Sequence, residues 1–140
     1  MAGFDIDISP LKKAIKTLEE SWGVLRSSND SKLHYIVLDS CIKRFEYTVE
    51  TAWKLMKRFL KLRYGRSDQE LTVNNIFRLM EGYGFIQSWE NWREYYVKRN
   101  DTAHEYNEDK ARTLIQCIPA FISDVSLLAS RLESAIKNDA

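Results

Sequence analysis

A guanidinium and an imidazole five residues apart, Arg99 and His104, are the side chains in this sequence best suited to chemistry on a phosphodiester. Imidazole moves a proton near neutral pH, and the always-charged guanidinium fork can hold the charge that develops on a phosphorane. Together they suit cleavage of such a bond without a metal, although the same spacing fits a satisfied core pair near a helix end. Asn100 stands four residues before His104 and is placed to hydrogen-bond its ring and so set its tautomer. Arg99 follows Tyr96 by three and Trp92 by seven, which puts it on an aromatic, inward-facing stripe. A cation on such a stripe is costly unless something pairs with it. Glu46, four after Ile42 and three before Val49, flanks the apolar stripe of an earlier segment and is the candidate partner. The same facts fit a structural salt bridge joining two helices, and spacing alone does not separate the two readings.

Five residues correspond to about 140° around an ideal helix. Arg99 and His104 can therefore serve one cleft only if the helix ends or distorts between them, or if the cleft lies between two subunits. A second feature is a basic tract: Lys54, Lys57, Arg58, Lys61, Arg63 and Arg66 occur with no acid between Thr51 and Ser67. Such a tract attracts phosphates without regard to base sequence, and Lys54, Lys57, Arg58 and Lys61 are its candidate RNA contacts. Cations near a helix C-terminus also complement its dipole, and a charged face can simply be solvated. The aromatic set Trp89, Trp92, Tyr95 and Tyr96 could stack on bases, but its spacing suits core packing better.

Other site types find less support: a Ser–His–Asp arrangement stays open, but no strained nucleophile turn is visible. The only close glycine pair is Gly82-Tyr83-Gly84, which is no phosphate loop. Two histidines, His34 and His104, and two cysteines, Cys41 and Cys117, make neither a zinc pattern nor a disulfide framework. No metal site and no cofactor are expected, and both thiols should be reduced and packed in or near the core.

The elements that must position these residues are helices. Ser9-Pro10 reads as N-cap and first helical position, followed by Leu11, Ala14, Ile15, Leu18, Trp22 and Leu25 at three-and-four spacing. Ser27-Ser28-Asn29-Asp30 breaks the stripe. From about Ser31 to Tyr64 there is neither Gly nor Pro, so one helix of roughly 50 Å is expected, with Gly65 just past its end. A shorter helix covers about Thr72 to Glu81, halted by Gly82 and Gly84. Ser88 then caps a fourth, and Asn107 with Glu108 and Asp109 opens a fifth that contains Pro119, where a bend is expected. A helix as long as the second needs partners along its length. The fold class that follows is all-α, an up-and-down antiparallel bundle of about five helices, with residues 1–140 forming a single domain.

Bulk properties agree. With 140 residues, 44% hydrophobic and 29% charged, the chain has ordinary globular composition, and five Gly and two Pro leave little turn material for a many-stranded sheet. The net charge of +1 means that any basic footprint is local. Met1 to Ser9 carries Asp5 and Asp7 and lacks a basic-then-apolar leader pattern. No uninterrupted apolar run approaches the roughly 20 residues of a span. A cytoplasmic location without membrane contact is the expectation.

Two blocks, Arg44-Phe45-Glu46-Tyr47-Thr48-Val49-Glu50-Thr51-Ala52-Trp53-Lys54 and Arg99-Asn100 through His104-Glu105-Tyr106-Asn107-Glu108, resemble the HEPN-fold family of nucleotidyltransferase substrate-binding proteins. The likeness extends over nearly the whole chain, in helix order as well as motif. It implies a homodimer in which the Arg and His motifs of two subunits meet in one cleft. It also implies a complex with a minimal nucleotidyltransferase, and here two roles diverge. In one the chain is the toxin of a toxin–antitoxin pair, a metal-independent ribonuclease using Arg99 and His104 and silenced when the partner attaches AMP to Tyr106. In the other it is a non-catalytic subunit that presents a nucleotide or other substrate to the partner.

Overall fold

The computed structural model describes residues 6–27, 31–104 and 107–138, and in them the chain forms five helices and no strand. They are α1 (Ser9–Ser27), α2 (Ser31–Tyr64), α3 (Val73–Gly82), α4 (Trp89–His104) and α5 (Glu108–Asn138). The expected order and lengths are all present.

Cross-helix contacts fix the directions. Thr48 of α2 donates to the Ala14 carbonyl of α1, while Leu25 and Leu38 line one cavity, so α1 and α2 run antiparallel. Glu46 and Glu50 of α2 meet Thr102 and Arg99 of α4 in reversed order. Lys12 at the start of α1 pairs with Glu133 near the end of α5 at 2.8 Å. The result is an up-and-down bundle of α1, α2, α4 and α5, with the short α3 laid against α2 and α4.

The core follows the sequence stripes. Leu11, Leu18, Phe45, Val49, Phe59, Phe77, Leu114 and Leu128 are fully buried, and apolar burial of this kind is the main favourable contribution to folding. Trp92 and Tyr95 are also buried, so half of the aromatic set on α4 is core rather than stacking surface. By length and composition α5 could cross a membrane, a property hidden in the sequence by its scattered polar residues. Its stripe Ala111, Leu114, Ile118, Phe121, Val125 and Leu132 is instead buried against the other helices.

Helix ends are set locally. Ser88 and Asn107 cap α4 and α5 through Asn91 N–H at 3.2 Å and Lys110 N–H at 2.8 Å, as expected. At α1 the expectation needs correcting. Ser9 is already helical, the first backbone bond runs from Lys12 N–H to the Ile8 carbonyl, and the Asp7 carboxylate accepts Ser9 N–H at 2.9 Å. A carboxylate two residues upstream takes the capping role because it is the stronger acceptor. Gly84, at φ +86°, closes α3: its own N–H reaches the Glu81 carbonyl and that of Phe85 reaches Met80, the paired bonds of a left-handed helix stop. Gly65, at φ +65°, ends α2 as expected. Pro119 lies within α5, exposed on its outer face, and the helix continues through it to Asn138.

Candidate functional site

The midpoint of α2 and the last turns of α4 form the seam in which the candidate residues meet. Arg99 is tucked into it, its side chain 28% exposed. Nη2 lies 3.2 Å from Glu50 Oε2, and Nη1 donates to Asn100 Oδ1 at 2.9 Å. The third donor, Nε, is buried and has no hydrogen-bond partner among the described residues. A buried charged donor left unpaired is expensive, so the terminal contacts to Glu50 and Asn100 must hold the side chain in place.

Glu46 is the counter-ion expected from the sequence; the structure pairs Arg99 with Glu50 instead, one turn further along the same face. Glu46 accepts a 2.7 Å hydrogen bond from the buried Thr102 hydroxyl. Because α2 and α4 are antiparallel, residue 99 must face a position later on α2 than residue 102 does. The sequence signal for Glu50 was present in its spacing, four after Glu46 and three before Trp53, but register between helices is not written in either one. Asn100 gives its side-chain oxygen to Arg99.

Glu50 carries several contacts at once. Trp53 Nε1 donates to it at 3.0 Å, Lys54 lies at 3.0 Å, and Arg99 completes the set. Burial alone would raise its pKa, but the hydrogen bonds from Lys54 and Trp53 and the Arg99 charge outweigh it and hold the carboxyl below its ordinary 4.5. A carboxylate with a depressed folded-state pKa stabilises the fold above its unfolded value and loses that contribution as pH falls through the folded one. Glu50→Gln should therefore destabilise the protein at neutral pH, with the difference from the wild type vanishing on acidification. Denaturant unfolding at neutral and acid pH checks this, and a gap that persists in acid would contradict it.

His104 is the last residue of α4; its side chain, and Tyr106 altogether, lie outside the described residues. The backbone nevertheless decides one point. Helix α4 runs without a break from Arg99 to His104, so the two positions lie about 140° apart around it.

Four of the tract's six cations share one face of α2. Lys54, Lys57, Arg58 and Lys61 line a groove of about 320 Å³ together with Leu62 and Asp68. Lys57 and Lys61 converge on Asp68, at 3.7 and 2.9 Å. Arg66 turns away from this face to Glu70 at 3.1 Å and the Tyr83 hydroxyl at 2.6 Å. A larger cavity, about 630 Å³, is elsewhere: Trp22, Leu25, Tyr35, Leu38, Ala111 and Ile115 give it apolar walls where the end of α1 meets the starts of α2 and α5. Arg99 does not line it.

Remaining titratable groups are structural. Burial pushes the Cys41 and Cys117 thiols up to about 11, which keeps them protonated and unreactive. Burial, then the hydrogen bond it donates to Asp124, raises the pKa of Tyr95. Among the described residues no group of three or more His, Cys, Asp or Glu side chains could hold a metal ion.

Known proteins share this arrangement of helices. The family model described as "Nucleotidyltransferase substrate binding protein like" matches residues 6–134. A Haemophilus influenzae protein named "Probable ribonuclease HepT" is 28% identical over 105 residues, covering 74% of this chain and 72% of the relative. A solved Haemophilus influenzae structure, described as the fold of a substrate-binding domain of a nucleotidyltransferase, superposes with a TM-score of 0.83. It is 25% identical and covers 91% of this chain and 99% of its own. A Thermus thermophilus structure gives a TM-score of 0.73 at 25% identity, covering 87% and 98%.

Proposed function

This chain belongs to the nucleotidyltransferase substrate-binding protein-like family, and from that premise we propose that it is a metal-independent ribonuclease, the toxin half of a pair with a minimal nucleotidyltransferase antitoxin. The observation that carries the reading is the Arg99 fork: half-buried, anchored by Glu50 and Asn100, little more than one helical turn ahead of His104. In the proposed reaction the His104 imidazole takes the proton of an RNA 2′-hydroxyl. The 2′-oxygen bonds to the adjacent phosphorus, the bond to the 5′-oxygen breaks, and that oxygen takes up a proton from the imidazolium, which restores the base. Arg99 stabilises the charge on the phosphorane between these events.

Continuity of α4 favours a homodimer as the working unit. With the two positions about 140° apart on one helix, a shared cleft is completed most simply by His104 of one copy and Arg99 of another. Exposed Val24, Leu33, Tyr35 and Ile36 beside the large apolar cavity supply surface of the kind that subunits cover. Tyr106, two residues past His104, is the proposed site of silencing: an attached AMP would block access to the cleft by bulk and charge.

The test is incubation of the purified protein with RNA in the presence of a chelator, comparing wild type with His104→Ala and Arg99→Ala. Cleavage by the wild type alone supports the reading; cleavage that is absent, metal-dependent or equal in all three ends it. Mass spectrometry after co-expression with the nucleotidyltransferase should place AMP on Tyr106, and an unmodified peptide from a neutralised complex would defeat that part. A second reading, a non-catalytic subunit that presents a nucleotide to the partner, is favoured by the family's own description and by the substrate-binding role given to the similar Haemophilus domain. It predicts saturable nucleotide heat in calorimetry without turnover.

A further inference from the structure

We infer that the α2 groove lined by Lys54, Lys57, Arg58 and Lys61 is the track along which single-stranded RNA phosphates run toward Arg99, with Asp68 as the counter-ion they displace. Residues 54, 57, 58 and 61 recur at the three-and-four spacing of one helix face, and the same stripe extended one turn back reaches Glu50. Glu50 bridges the two sites physically, bonding Lys54 at 3.0 Å and Arg99 at 3.2 Å. The track therefore begins at the candidate catalytic guanidinium and continues for roughly 16 Å down α2.

Helix-dipole compensation accounts for Lys61, in the last turn, but not for the cations upstream of it. The dipole acts within the last turn, whereas Lys54 and Lys57 lie ten and seven residues before Tyr64, where α2 ends. The terminal carbonyls are also served already, Lys61 by Gly65 N–H and Leu60 by Arg66 N–H. Ion pairing in the groove is loose rather than absent: Lys54 pairs with Glu50, and Lys57 and Lys61 share Asp68. Among the described residues Asp68 is the one carboxylate lining it, 67% exposed, and it is shared by Lys57 and Lys61, themselves 36% and 43% exposed. Exposed pairs of this type are weak and easily exchanged for another anion. Leu62, 45% exposed along the same groove, offers an apolar surface to a ribose or base.

RNA is named as the ligand on the strength of the ribonuclease reading, yet binding and cleavage can fail separately, so binding is the quantity to measure. The experiment is fluorescence anisotropy of a labelled single-stranded oligoribonucleotide over a salt series, in a His104→Ala background that leaves the probe intact. Lys57→Gln with Lys61→Gln should weaken binding at least tenfold. It should also reduce the slope of log K against log salt by about 1.4, the release of two phosphates' counter-ions. Asp68→Asn should tighten binding by roughly three- to tenfold, since it removes a competing charge beside the phosphates. That gain is a result no misfolded variant can mimic. Lys12→Gln, which breaks an exposed pair with Glu133 on the α1–α5 seam, should change nothing. Absence of RNA binding, a lysine pair no worse than Lys12→Gln, or an Asp68→Asn variant that fails to tighten would each overturn the assignment.

Discussion

Arg99→Ala should slow RNA cleavage by about a hundred- to a thousandfold, the usual loss when one donor to a developing oxyanion is removed, while leaving the protein folded. Glu50 is the reason the fold survives. Removing Arg99 does not strand that carboxylate, because Trp53 and Lys54 still bond to it at 3.0 Å each. The pair is about three-quarters buried on both sides, so its loss should cost about 1.5–3 kcal/mol, the range for a hydrogen bond to a charged group. Arg99→Lys should recover little activity. The planar fork holds Glu50 and Asn100 together and keeps a further N–H on each terminal nitrogen; an ammonium is a single point charge and cannot match that geometry. A structural bridge predicts a different pattern, with stability falling, activity per folded molecule unchanged, and Lys serving as well as Arg. Measuring kcat and the unfolding free energy on the same preparations separates the two, and a fully active Arg99→Lys would remove the catalytic role.

The helices were legible in the sequence because each rule that fixes them is local. Three-and-four spacing marked the buried faces of α1 and α5, the absence of Gly and Pro marked the length of α2, and Ser88, Asn107, Gly65 and Gly84 act within a few residues of where they stand. Arg99 as an inward-facing cation needing a carboxylate was legible for the same reason. Which carboxylate it takes was not. Glu46 and Glu50 share a face of α2, and the choice depends on the register between α2 and α4, which Thr102 helps to set by bonding Glu46. A hydroxyl in the middle of a helix gives no hint of such a partner, since it can always satisfy itself on the preceding turn, as Thr102 also does on the Lys98 carbonyl.

The role of Asp68 was hidden for a related reason. It follows the acid-free stretch in sequence, in the loop after Gly65, and reads there as an ordinary loop acid. Only the reversal of the chain past the end of α2 brings it back over Lys57 and Lys61. Contacts of this sort, between a loop and the helix it has just left, are set by turn geometry that composition does not reveal. The capping of α1 by Asp7 rather than Ser9 is the same lesson on a smaller scale.

The position of Arg99 in turn depends on packing one to two turns earlier on α4, and Phe121→Ala should expose that dependence with a loss of about 3–5 kcal/mol. Phe121 is fully buried, with ring centroids 4.9 Å from Phe45, 5.7 Å from Trp92 and 4.9 Å from Tyr95, all in edge contacts. It thus joins α5 to α2 and α4 through a single ring, and edge-to-face pairs add to plain burial. A truncation here leaves a cavity that three large neighbours cannot easily fill, because Tyr95 is held by Asp124 and Trp92 by Phe77. Against a total stability of about 5–15 kcal/mol such a loss is severe, and Tm should fall by roughly 10–20 °C. Phe121→Leu, which fills most of the space, should lose less than half as much. Val97→Ala on the exposed face of α4 should stay within about 0.5 kcal/mol of the wild type. Urea unfolding of the three variants orders them, and a Phe121→Ala loss under about 1 kcal/mol would mean that this ring does not hold α4, and with it Arg99, in place.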